Sequence, residues 1–498
     1  MSGMRERVLS ELVMPAAAAL TPLKSWTYHE QMCAAERAPL AAQRSDQLAL
    51  VRALLSHAYD ETALHRDLLD AAGVAPGDVT SVAALARLPI TSKSDLRSGF
   101  PDRQLARSYR NAWLRFSNTS GTTGKPLVLV QDATDIAWKY ASILRSRSLA
   151  DVPPMSRQTR LTPNECQPCL PSGETSSLVP LSPDASTATR RAAAFLLLER
   201  RILNPVFHRR DMLPPFWPGG GPIGPVDHGR YLAQLRSSEP VVLTVYSLYA
   251  MLLARFMRRT GQAPPVITGI LEFSGGLCTP RMRDYLSETF GARTAQSCGG
   301  CEFARYGASC TSDPDRMHLA ESYACVETVR ADGAPCAPGE LGNVVVTNLH
   351  GRAMPIVRLE PGDVGRIVEE PCACGRSSRR IEHHGRVQAV FRNAEGRFVT
   401  DRECWDALLC LRGLELFQLR QESETRYRLA LVRDVGEELD EAGLGHALET
   451  LLGRGAVVER EVVPGIVPEA SGKLQLVKSA TFESFRPSGS RSRPVPVN

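Results

Sequence analysis

Apolar positions along this chain change their spacing several times, and each change marks an element. From about residue 30 to 72 they fall at helical intervals, with Leu48, Val51, Leu54, Leu55 and Ala58 on one face. Thr80 or Ser81 can then cap a short helix, and Thr91–Ser92 with Asp95 can begin another after Pro89. Residues 113–116 and 127–130 read as strands flanking a glycine-rich stretch. Prolines interrupt every pattern from 150 to 230, where the spacing suggests helices only around 192–201 and 231–236. Residues 241–245 then predict a buried strand, 248–259 an amphipathic helix, 266–273 a strand, 280–290 a helix and 293–296 a strand. Residues 341–347 add one more strand, and the run 381–386 carries Gly385-Arg386. This alternation predicts a layered α/β sheet that binds its ligand at the carboxyl ends of strands.

The pattern changes after Arg386. A hairpin is expected from 387–391 and 397–400, helices at 403–411 and 438–452, and strands at 416–420, 427–432 and 457–463. The predicted fold class is therefore α/β: a large N-terminal layered α/β domain (1–386) followed by a small α+β C-terminal domain (387–486). Residues 487–498 are polar and basic and are expected to form a disordered tail. A chain of 498 residues exceeds one ordinary core, which agrees with two domains.

Composition narrows the class. With 43% hydrophobic and 23% charged residues the chain is globular, and a net charge of +5 argues against a dedicated nucleic-acid binder. Thirteen cysteines in a long chain without a signal-peptide pattern fit reduced thiols, and no apolar run approaches the ~20 residues of a membrane span. A soluble, cytoplasmic protein is expected. The lysines are only Lys24, Lys93, Lys125, Lys139, Lys473 and Lys478, so a lysine inside a motif carries weight.

The glycine-rich stretch is Thr119-Ser120-Gly121-Thr122-Thr123-Gly124-Lys125-Pro126. Its glycines let the backbone curl around an anion, its hydroxyls donate, and Lys125 adds a positive charge. It is not a Walker A loop: two residues separate Gly121 from Gly124, and Pro126 stands where Ser or Thr is required. Taken alone it also reads as a polar hairpin turn.

The order Ser-Gly-Thr-Thr-Gly-Lys-Pro resembles the phosphate loop of the adenylate-forming superfamily. Upstream, "LPITSKSDLR" resembles a segment that precedes this loop in phenylacetate-CoA ligase-like enzymes. Downstream, Cys298-Gly299-Gly300-Cys301-Glu302 resembles their aromatic-Gly-x-Thr-Glu motif. Gly299 and Glu302 match it, while Cys298 and Cys301 replace the aromatic that packs on adenine and the hydroxyl that faces phosphate. The resemblance implies that Glu302 holds magnesium, that Asp363 in "EPGDVG" binds the ribose hydroxyls, and that Arg386 in Gly385-Arg386 reaches ribose or phosphate. Gln388 replaces the usual hinge residue. Lys473 in Ser471-Gly472-Lys473 would enter the site during adenylation.

A second constellation joins Cys310, His318 and the Cys372-x-Cys374 pair, which resembles a structural zinc site of part of the same group. Cys298-x-x-Cys301 could replace the second pair, and all of these could be small core residues.

The resemblance implies ATP- and Mg2+-dependent activation of a carboxylic acid, aromatic or heteroaromatic, to an acyl-adenylate. The C-terminal domain then turns, removing Lys473, and a thiol attacks the acyl carbon. Coenzyme A is the first choice of thiol, and the phosphopantetheine of an acyl carrier protein is the second. Rival readings are adenylyl transfer to a hydroxyl and a non-catalytic nucleotide-binding relative. The altered "CGGCE" favours the last; Lys125 and Lys473 in a lysine-poor chain stand against it. The partners are a small carboxylic acid and, as further options, a carrier protein or a second copy of the chain, with neither nucleic acid nor membrane.

Overall fold

The structure, a computed structural model, describes residues 2–16, 24–110, 112, 114–118, 127–163, 210–216, 226–469 and 472–486. The glycine-rich residues 119–126, the helix expected at 192–201 and the tail 487–498 lie outside the described residues.

After an N-terminal helix at Ser2–Val8, the chain enters the fold through α1 (Lys24–Ala35), α2 (Leu40–Glu61) and α3 (Ala63–Ala72). The α2 stripe Val51, Leu54, Leu55 and Ala58 is buried, as its spacing predicts. Ser81 caps a 3-10 turn at Val82–Arg87, and Ser92 and Asp95 cap α4 (Lys93–Arg97) reciprocally, each side chain bonding the other's backbone N–H. Strands β1 (Arg115–Asn118) and β2 (Val128–Gln131) form an antiparallel hairpin with Asn118 opposite Val128. Helix α5 (Ala133–Leu149) follows, its first N–H groups capped by Asp132.

The main sheet has eleven strands among the described residues. Its parallel half runs β4 (Arg210–Met212), β3 (Gln158–Leu161), β5 (Val242–Val245), β6 (Ile270–Phe273) and the start of β7 (Arg293–Gly300). Helices α6 (His228–Ser238), α7 (Ser247–Thr260) and α8 (Pro280–Phe290) make the crossovers, which is why β5 and β6 are buried throughout. The antiparallel half comprises β8 (Ala304–Cys310), β9 (Asp313–Leu319), β10 (Ala324–Val329), β11 (Gly342–Asn348), β12 (Asp363–Val368) and β13 (Arg380–Arg386), in the order β7-β8-β9-β13-β12-β11-β10. Strand β7 joins the halves: Arg293–Gln296 pairs parallel with β6, and Ser297–Gly300 pairs antiparallel with β8.

Two strand expectations need correction here. The strand expected from 266 begins only at Ile270, because Pro264 and Pro265 cannot donate to a ladder and Val266 stays 70% exposed. Strand β7 runs on to Gly300, since β8 takes over its pairing where β6 ends.

After Arg386 the expected hairpin contracts to β14 (Phe391–Arg392) and β15 (Phe398–Val399), with a 3-10 turn at Val387–Ala389. Helix α9 (Asp401–Leu408) starts from a Thr400/Glu403 capping box. A separate four-stranded sheet, β18-β17-β16-β19, is built from β16 (Leu414–Gln421), β17 (Arg426–Arg433), β18 (Val457–Val462) and β19 (Val477–Lys478), with α10 (Glu441–Leu452) before β18. This sheet does not have a core to itself. Tyr246, Leu253 and Leu286 of the crossover region share one apolar cluster with Leu409, Leu416 and Leu476. Buried Arg255 of α7 donates across this junction to the carbonyls of Leu409 and Leu414, and Arg259 pairs with Asp434 at 2.7 Å. No helix among the described residues is long and apolar enough to cross a membrane.

Candidate functional site

The turn between β7 and β8 carries Glu302. Gly299 is required there, because a Cβ would fall 1.5 Å from the carbonyl oxygen of Ala304, itself held at φ +47°. The turn drops Glu302 into the interior, where its carboxylate meets Lys93 Nζ at 2.8 Å. Burial alone would raise the Glu302 pKa, but the charge and hydrogen bond of Lys93, with Arg386 beyond, leave it lowered. Lys93 opens α4, and α4 is anchored through Thr91, which bonds the backbone of Arg358 and Val357 at 2.9 Å. Arg358 is fully buried at φ +47°, its guanidinium held by Glu327 at 3.1 and 3.2 Å and by the Leu88 carbonyl. One arginine thus ties the segment before Lys93 to the segment that leads into Asp363.

Asp363 and Arg386 are cross-strand partners on β12 and β13, and their side chains meet at 2.5 Å. Arg386 also donates to the Pro361 carbonyl at 3.1 Å. The Tyr306 hydroxyl donates to Asp363 at 3.4 Å, and His383 Nε2 lies 3.5 Å from the same carboxylate. Burial opposes ionisation of Asp363, but Arg386, His383 and Lys93 outweigh it and hold its pKa well below the usual carboxylate range. The two acid–base pairs therefore feel one another's charge. Behind them, Gly385 sits at φ +108°, and a Cβ there would fall 2.3 Å from Asp401 Cβ. Asp401 is buried, which pushes its pKa up to about 7 against the opposing effects of Trp405 and Arg386.

Cys310, His318, Cys372 and Cys374 bring one ligand atom each within 4.8 Å of the others. Cys310 Sγ lies 3.6 Å from Cys372 Sγ, and Cys374 Sγ lies 3.3 Å from His318 Nε2. Ser378 Oγ meets Nδ1 of His318 at 3.0 Å, which leaves Nε2 facing the thiols. Burial, with Arg145 and Arg376, lowers the His318 pKa to about 3, so the ring is neutral. Burial would raise the Cys374 thiol, yet hydrogen bonds from Arg376 and the neighbouring thiols lower it. Three thiols and a neutral imidazole in this arrangement fit tetrahedral zinc. No other cluster of this kind occurs among the described residues, and Cys298 and Cys301 take no part in it.

No protein-family model matches the chain. Over 355 residues it is 26% identical to the phenylacetate-coenzyme A ligase of Thermus thermophilus, covering 70% of each chain. The Escherichia coli K12 ligase of the same name is 24% identical over 378 residues, 74% of this chain and 73% of that one. The chain is thus similar to phenylacetate-coenzyme A ligases over most of its length. Among solved structures it resembles 2-hydroxyisobutyryl-CoA ligase in the postadenylation state (TM-score 0.66, 19% identity, 90% of this chain and 91% of that). For the same ligase in the thioesterification state the TM-score is 0.55, with 21% identity over 89% and 91% of the two chains. That likeness is one of fold, the α/β fold of adenylate-forming CoA ligases.

The site residues expected from sequence are unevenly placed. Glu302, Gly299, Asp363 and Arg386 gather around Lys93. Thr119, Ser120, Gly121, Thr122, Thr123, Gly124 and Lys125 lie outside the described residues, but the hairpin that carries them packs into the site: Phe116, Leu127 and Leu129 share a cluster with Cys298, Phe303 and Tyr306. Cys298 is buried beside Tyr306, and burial pushes its thiol pKa up. Cys301 sits at the edge of the same cluster, its carbonyl accepting from Lys139 at 3.4 Å. Lys473 lies half-buried in the loop before β19. Lys93, Tyr306, His383 and Asp401 are residues that sequence reading missed. Lys93 had a signal, being one of few lysines and set directly behind the Ser92 cap.

Proposed function

We propose that the protein is an AMP-forming acid–coenzyme A ligase that works through an acyl-adenylate. The observation that carries this reading is the convergence of Lys93, Glu302, Asp363 and Arg386, drawn from four distant segments, beside the hairpin that holds the glycine-rich loop. The solved 2-hydroxyisobutyryl-CoA ligase, which has this fold, was captured with an acyl-AMP and coenzyme A. Asp363, ionised and fixed by Arg386, would accept hydrogen bonds from vicinal ribose hydroxyls. The loop 119–125 would donate to the phosphates, with Gly299 and Cys301 close by in the β7–β8 turn. Glu302 would hold Mg2+, for which an ionised carboxylate supplies the hard oxygen ligand. The substrate carboxylate attacks the α-phosphate, pyrophosphate leaves, and Lys473 neutralises the charge that develops. The unit after Arg386, proposed as a mobile domain, then turns and admits the thiol of coenzyme A. The acid is proposed to be aromatic or heteroaromatic, in line with the phenylacetate ligases among the relatives. Cys310, His318, Cys372 and Cys374 would hold a structural Zn2+, since four protein ligands leave no position for substrate.

Pyrophosphate release over a panel of aryl acids, with and without coenzyme A, tests the reading. One or more acids should support release, and coenzyme A should convert the adenylate to thioester. Lys473→Ala should lower acyl-AMP formation by ~10²–10³, typical of removing one preorganised charge, yet still convert a supplied acyl-adenylate. Equal loss of both half-reactions in a folded variant would contradict the turning of the C-terminal unit.

A further inference from the structure

Lys473 stands between two carbonyls that bond across the junction to the start of α7. Tyr249 donates to the carbonyl of Gly472 and Tyr246 to that of Leu474, each at 3.4 Å. The carbonyls that follow, of Gln475 and Leu476, instead accept from Gln418 and Leu419 of β16 at 2.8 Å. The backbone on both sides of the lysine is therefore gripped from across the junction, and the next residues are gripped from within.

We propose that Tyr246 and Tyr249 are positioning residues for Lys473, a pair of hydroxyls that aims its ammonium into the site in one orientation of the C-terminal unit only. Neither ring has freedom to aim elsewhere. Tyr246 is 2% exposed and Tyr249 fully buried, and the two rings meet edge to face at 5.2 Å. Phe216 stacks on Tyr249 at 4.3 Å. Tyr246 lies so close over Gly276, in the turn after β6, that a Cβ there would come within 2.3 Å of the ring. Ser247, between them in sequence, donates to the Leu277 carbonyl at 2.6 Å and locks the start of α7 to that same turn. Further along α7, Arg255 and Arg259 hold the C-terminal unit by other atoms, so the helix acts as a rail and the tyrosines mark its active-site end. A lysine side chain has four rotatable bonds, and a misplacement of about 1 Å can cost a large factor in rate. Fixing the carbonyls on both sides removes the backbone share of that freedom. The contacts vanish when the unit turns, so they favour adenylation without touching the thioester step.

The proposal rests on the ligase reading, and the test separates the two. In full-length protein, Tyr246→Phe/Tyr249→Phe keeps both rings and removes both hydroxyls. Pyrophosphate release should fall about three- to tenfold per hydroxyl, the range for a modest neutral hydrogen bond, in kcat more than in KM. Conversion of supplied acyl-adenylate to thioester should stay within about twofold, well under that loss. Independently of activity, labelling of Lys473 by an amine-reactive reagent, read by mass spectrometry, should quicken in the variant. Unchanged adenylation with unchanged labelling, or equal loss in both half-reactions, overturns the positioning role. If no acid releases pyrophosphate from the parent protein the ligase reading fails, while the labelling comparison still decides whether the hydroxyls hold the lysine.

Discussion

Asp401 stands directly behind Gly385, and its carboxyl has been taken out of water without a full partner. Its folded pKa of about 7 lies above the ~3.9 of an unfolded aspartate. The contribution to stability is therefore fully present below about pH 4 and is lost as pH rises through 7. Asp401→Asn should remove that loss. The variant should match the parent near pH 3, below both pKa values, and be the more stable of the two near pH 8, by up to ~4 kcal/mol for the whole shift. Denaturant midpoints measured across this range would check it, and parallel pH profiles for the two proteins would show the carboxyl to be paired. At this scale the sequence was partly legible. Asp363, Arg386 and Glu302 stand in short motifs whose neighbours announce them. Tyr306 and His383 carry no such mark, because their partner Asp363 is brought to them only by the assembled sheet. Asp401 is ordinary in sequence, and only the absence of a Cβ on Gly385 lets it be covered.

Single elements show the same contrast. Helices α8 and α9 begin at Pro280 and Asp401, within two residues of where the sequence sets them. Strand β7 was cut short in prediction because its second half is defined by β8. The loop that carries Cys372 and Cys374 is the element with the most to lose. Glu36, just past the end of α1, accepts from buried Arg145, pairs with Arg376 at 3.3 Å and receives the Ser377 N–H at 2.9 Å. The proposed metal site is thus tied to the N-terminal helices as well as to the main sheet. Protein purified without chelators should contain one zinc per chain. Cys372→Ser should lower both zinc content and melting temperature, measured by elemental analysis and thermal denaturation. Zinc retained at full occupancy with an unchanged melting temperature would refute the ligand set. The grouping of these four residues was legible from spacing and resemblance together, whereas the Glu36 tie was not, since nothing near Glu36 in sequence refers to a site so far along the chain.

For the whole molecule, the decisive feature is the cluster shared between α7, α8 and the four-stranded sheet. Each large apolar side chain buried there contributes about 1.5–3 kcal/mol, so the two parts stabilise one another strongly. Calorimetry should accordingly show one cooperative transition; two resolved transitions would mean that the parts fold independently. A turning C-terminal unit must uncover this interface and release Arg255, so each orientation is a defined state with its own contacts. Sequence reading distinguishes an α/β pattern from a later α+β pattern but could not show that one core serves both, because burial by a distant segment leaves no periodicity of its own.

The shared core also sets conditions on how the chain can be made. Synthesis proceeds from the N-terminus, and α7 and α8 leave the ribosome well before Leu416 and Leu476, which close over them. During that interval the growing polypeptide carries a bare apolar face that only its own last strands can cover. Early release, or a premature stop anywhere before Leu476, would leave that face permanently open to whatever else is in the cell.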